Sequence, residues 1–170
     1  MSSKVEKLLK AAEIARSERQ QLGEVAGIVD SVEELQAIKI NEIGEACTAI
    51  IYAGIEAETT QGLERFSLNE RDLLELFAQR DKVLAGAPAV PYHADGKLCR
   101  MFDADEFMAV VKAAEAHIFY NRTLANTYNG WIRRSETWEE LQEIYHGVSL
   151  PDDLQEHLDN LIATVSGGAQ

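Results

Sequence analysis

The chain has 170 residues and a hydrophobic fraction of 46%, enough for a packed core and too much for wholesale disorder. Its formal net charge of −13 repels phosphate, which argues against nucleic acid and anionic membrane as partners. Two cysteines, a charged N-terminus and no run of membrane-spanning length point to a soluble protein made in the cytoplasm, without membrane insertion or a disulfide framework.

Residues 3–22 are expected to form a first helix, with Val5, Leu8, Ala12, Ala15 and Leu22 at spacings of three and four and Arg19 interrupting the seam. A soft joint follows from Gly23 to Gly27. Ser31 to Glu34 reads as a capping box that opens a second helix through Leu35, Ile38, Ile43, Ala46, Cys47, Ile50 and Ile51. Gly54 ends it. Residues 55–66 alternate around Gln61-Gly62 and predict a hairpin. Ser67 to Glu70 is read as another capping box, starting a helix through Leu73, Leu74, Phe77 and Leu84.

Asp95-Gly96, set between two extended runs from Val90 to Phe102, predicts a second hairpin with a two-residue type I′ turn. Asp103 then caps a long helix through Phe107, Val110, Val111, Ala114, Ile118, Ala125, Tyr128 and Ile132. Thr137 to Glu140 is a further capping box, and Pro151 stands at the start of a last helix whose Leu154, Leu158, Leu161, Ile162 and Val165 are expected to face inward. Each strand pair is joined by a tight turn, so each is antiparallel. The fold class is α+β and predominantly helical: a helical arm over 1–30, with coiled-coil character, and an α+β domain over 31–170 carrying two antiparallel hairpins.

Chemistry is sparse. The histidines 93, 117, 146 and 157 share no metal-ligand spacing on one helix. In the expected two-residue hairpin His93 lies opposite Leu98, which sends His93 and Cys99 to different faces. His117 and Asn121, one turn apart, read as a hydrogen-bonded pair beside the core. Carboxylate pairs fall in first turns of helices, where the macrodipole favours negative charge. No catalytic residue, metal or cofactor is expected. Aromatic residues gather around the second hairpin and the end of the long helix. They read first as core, while Tyr92, Phe102, Trp131 and Trp138 are the candidates for an interaction surface.

A likeness attaches to particular runs: Phe66-Ser-Leu, the stretch from Gly86 through Val90-Pro-Tyr-His-Ala-Asp-Gly96 to Arg100, Asp105-Glu-Phe-Met, His117-Ile-Phe-Tyr, and Lys39 to Gly54. Over roughly residues 35–160 these resemble a group of uncharacterised phage and prophage proteins encoded among tail genes, mostly in phages of Gram-positive bacteria. More remotely, the order of elements is similar to a domain of unknown function attached to tail-fibre proteins. The resemblance implies a structural virion protein of the tail or baseplate that binds other tail proteins, made in the host cytoplasm and located in the virion. The alternative is an assembly chaperone for a tail fibre or receptor-binding protein. The arm either folds back on its own body or associates with copies or partners. Association is favoured, as a homo-oligomer of three-fold or six-fold symmetry.

Overall fold

The computed structural model describes residues 31–167, so the arm with Val5, Leu8, Ala12, Ala15 and Leu22 lies outside the described residues. The elements run α1 (Val32–Tyr52), β1 (Ile55–Thr59), β2 (Gly62–Phe66), α2 (Glu70–Leu84), β3 (Ala89–Tyr92), β4 (Arg100–Asp103), α3 (Ala104–Arg134), α4 (Trp138–Gln142) and α5 (Asp152–Gly167). The protein is α+β and mainly helical, with β1–β2 and β3–β4 as separate antiparallel two-stranded sheets. The described residues divide into two compact units: 31–43 with Tyr128–Leu150, and Gly44–Thr127 with 151–167.

The first unit is all helix. Ser31 caps α1 as its sequence implies, its Oγ accepting from the Glu34 amide at 3.2 Å. Leu35, Ile43, Ile132, Leu141 and Ile144 are buried there. Lys39 is buried as well, at 2% exposure, and its ammonium escapes to Glu42 at 3.3 Å. Thr137 caps α4 by accepting from the Glu140 amide, while the Glu140 carboxylate accepts from the Glu136 amide. The Tyr128 hydroxyl donates to the Val148 carbonyl at 2.5 Å and accepts from the Gly147 amide, which secures the chain beyond α4.

The second unit holds both hairpins. In the first, Thr59 pairs with Gly62, so the turn residues are Thr60 and Gln61, one position earlier than the alternation indicates. Gly62 has φ +92° and, among the described residues, no non-glycine residue has a positive φ, which fits a type I turn closed by a left-handed glycine. The second hairpin departs from expectation. Its ladder stops at Tyr92 opposite Arg100, and residues 93–99 form a loop. Within that loop the Lys97 amide donates to the Ala94 carbonyl, and Gly96 alone has a positive φ, of +70°. This is a type II turn rather than type I′. The difference follows from Asp95, whose amide donates to the Arg65 carbonyl and whose carboxylate accepts from the Ser67 amide (3.0 Å) and hydroxyl (2.6 Å). Asp95 joins the two hairpins instead of pairing within its own.

Ser67 is therefore not the cap of α2. Asn69 is, accepting from the Arg71 and Asp72 amides. The buried stripe of α2 also differs from the expected one: Leu76 and Gln79 are buried, whereas Leu74 and Leu84 are 74% and 68% exposed. The helix turns toward β3, against which it packs, and that partner selects the face. Asp103 caps α3 as expected, accepting from the Glu106 amide at 2.8 Å. On α5 Leu158 is fully buried, whereas Leu161 and Val165 of the expected inward face are exposed.

Gly54 and Gly96 both have positive φ, +82° and +70°, but their surroundings differ. A Cβ on Gly54 would sit 2.1 Å from the Phe66 carbonyl oxygen, while one on Gly96 would meet open space. Gly96→Val should cost about 1–2 kcal/mol from its backbone conformation alone. Gly54→Ala should cost more, because backbone must also move. Urea unfolding of the two variants checks that order, and equal midpoints would contradict it.

Candidate functional site

The most highly organised polar cluster in the second unit forms where the two hairpins meet the start of α3. In β2, Glu64 and Phe66 share a face, so burying Phe66 carries the Glu64 carboxylate inward, to a side-chain exposure of 1%. In β4, Arg100 and Phe102 likewise share a face, and the Arg100 guanidinium lies 3.5 Å over the Phe102 ring. Arg100 donates to Glu64 Oε2 at 3.0 Å and grips Glu106 with both terminal nitrogens, at 2.7 and 3.0 Å. Lys97 meets the other Glu64 oxygen at 3.2 Å, and the Thr59 hydroxyl donates to Glu64 at 2.6 Å. The Thr60 amide and hydroxyl both donate to Glu106, each at 2.8 Å.

These contacts set the ionisation of both carboxyls. Thr59's hydrogen bond, with help from Arg100 and Lys97, holds Glu64 below the usual carboxylate range against the opposing pull of burial. Arg100 foremost, then the Thr60 donors, bring Glu106 down to about 2. Groups held this far below neutrality are poorly matched to proton transfer. Beside them, Glu64, Lys97, Leu98, Cys99 and Arg100 line part of a cleft of about 380 Å³. A second concavity, of about 610 Å³, lies between α3 and α5 with Ala116, Phe119, Tyr120, Ile162 and Val165 in its walls.

Of the residues expected to form an interaction surface, Tyr92 and Phe102 are core instead, 4% and 0% exposed. They sit in an aromatic cluster in which Phe66 stacks on Tyr92 at 6.2 Å and Phe107 meets Tyr92 edge-on at 5.2 Å. Burial raises the Tyr92 phenol far above its ordinary pKa. Trp131 and Trp138 are half-buried and belong to the first unit. Asp95 and Gly96 do form a turn, with the altered geometry described above. His117 and Asn121 come together as expected: Nε2 of His117 donates to the Ile50 carbonyl (3.2 Å), the Asn121 amide donates to the His117 carbonyl (2.8 Å), and Cys47 donates to the Asn121 carbonyl (3.4 Å). Cys99 is exposed. Among the described residues, no three His, Cys, Asp or Glu side chains gather as a metal site.

Sequence reading missed Glu64, Arg100 and Glu106. One signal was available: in Glu64-Arg65-Phe66, a core role for Phe66 puts Glu64 on the inward face, and an inward carboxylate needs a cation. Because both folded-state values lie below the unfolded one, their contribution to stability is fully present above about pH 5 and is lost as pH falls toward 2. Urea midpoints measured across that interval should drop for the native chain and drop less steeply for Glu106→Gln. Parallel profiles would show that Glu106 does not carry this linkage.

No curated protein and no solved structure matches the chain. Among family models, residues 34–148 match one described as a domain of unknown function, DUF4376. That match takes in most of the chain, including both hairpins and all of α3, and the chain belongs to the DUF4376 family.

Proposed function

We propose that this protein is a structural, non-enzymatic component of a phage tail or baseplate that works by binding other tail proteins. The observation that supports binding rather than catalysis is how its polar and apolar groups are disposed. The inward carboxylates Glu64 and Glu106 are committed to Arg100 and to hydroxyl and amide donors, in a geometry that keeps them ionised and fixed. The concavity between α3 and α5, by contrast, is lined largely by Ala116, Phe119, Ile162 and Val165, the chemistry of a contact with another chain.

The tail assignment rests on the resemblance carried by the Val90–Gly96 run and its neighbours. On that reading the protein is made in the host cytoplasm, resides in the virion and needs no cofactor for its role. Mass spectrometry of purified particles tests it. The chain should be present at a fixed ratio to the major tail proteins. Presence in the lysate with absence from particles would contradict a structural role and favour an assembly chaperone for a tail fibre.

A further inference from the structure

His146 sits in a turn that Tyr128 holds closed. The Val148 amide donates to the Tyr145 carbonyl at 3.1 Å, and Gly147 has φ +98°, so residues 145–148 form a type II turn with His146 and Gly147 at its centre. The Tyr128 hydroxyl, reaching over from α3, accepts from the Gly147 amide and donates to the Val148 carbonyl. One side chain therefore clasps two backbone groups of the turn, a few residues before Pro151 and the start of α5.

The His146 ring belongs to the same cluster. It packs tilted against the Tyr128 ring, centroids 5.7 Å apart, and its Nε2 is buried with no hydrogen-bond partner among the described residues. A buried polar atom without a partner calls for an explanation. Neutral imidazole tolerates the position, because its single proton can reside on Nδ1 and leave Nε2 bare. Imidazolium does not, because Nε2 then carries a charged N–H that reaches neither water nor an acceptor. The titratable group packed against the ring is the Tyr128 phenol, and Glu143 and Tyr145 accompany it on its own segment. Among the described residues no carboxylate or cation of α1, α3 or α4 adds to the effect of burial, which alone lowers the His146 pKa from the ordinary histidine value. Neutral His146 therefore stabilises the closed turn fully above about pH 6.5, and that contribution is lost as pH falls through the lowered value.

We propose that the turn at residues 145–148 is a proton-operated latch: neutral His146 keeps the Tyr128 clasp closed, and its protonation in mildly acidic solution releases residues 145–150, the stretch that leads to α5. This goes beyond the tail assignment and does not depend on it. Residue-resolved amide hydrogen exchange of the full chain, corrected for intrinsic rates, tests it from about pH 7.5 down to about pH 5.5. That interval lies above the one in which the Glu64 and Glu106 contributions are lost. Opening at the Gly147 and Val148 amides should increase about threefold or more on acidification, while amides midway along α3 keep their protection. His146→Phe keeps a ring against Tyr128 and removes the titration, so its opening should not change with pH. Tyr128→Phe removes the clasp and should leave both amides open at either pH. If His146→Phe fails to fold, His146→Gln, also neutral, takes its place. Protection that stays flat across the interval in the native chain overturns the proposal. So does a pH response that persists in the neutral variant, one shared equally by α3, or protection retained in Tyr128→Phe.

Discussion

A carboxylate with 1% of its side chain exposed keeps its charge only if cations and donors reach it, and Glu64 imposes that requirement on the second unit. Meeting it constrains three pieces of chain at once. Thr59 must lie across the β1–β2 turn region, Lys97 must come from the β3–β4 loop, and Arg100 must stand at the start of β4. Arg100 then holds Glu106 in the first turn of α3, and Glu106 returns to Thr60 in the first hairpin. The contacts therefore close a circuit through both hairpins and the long helix.

A buried ion pair is weak grounds for net stability, because desolvation offsets much of the attraction. Removing one partner is another matter, since the charge left behind costs about 3–5 kcal/mol. The network is better understood as fixing arrangement. Two-stranded hairpins are marginal alone in water, and neither ladder here is long. Position comes from outside each ladder: the Arg100 circuit on one side and, on the other, Asp95 gripping Ser67 with Arg65 donating to the Ala53 carbonyl behind α1. Phe66, Tyr92, Phe102 and Phe107 fill the space between. Polar contacts set the geometry, and aromatic burial supplies most of the driving force.

This division explains what could be read from the amino-acid sequence. Helix starts at Ser31, Asp103 and Thr137 were legible because a cap is a contact within a few residues. Both hairpins were legible as hairpins for the same reason. Ser67 and Asp95 misled because each resembles a local signal, a cap and a turn, yet each bonds to the other across the fold. The buried face of α2 was misjudged because β3 determines it, and β3 is invisible to periodicity. Tyr92 and Phe102 read first as core from the sequence, and their rings are core. Lys39, buried along its stem, and the Glu64–Arg100–Glu106 cluster were missed outright, since pattern reading treats charge as surface.

Through these contacts Arg100 couples the two hairpins and the start of α3 into a single cooperative element. Native-state amide hydrogen exchange in Arg100→Met tests this most directly, because it reads each ladder separately. Protection should fall together, by similar factors, in β1–β2, in β3–β4 and in the first turns of α3. Loss confined to β3–β4, the strand pair that contains residue 100, with β1–β2 protected as before, would contradict it.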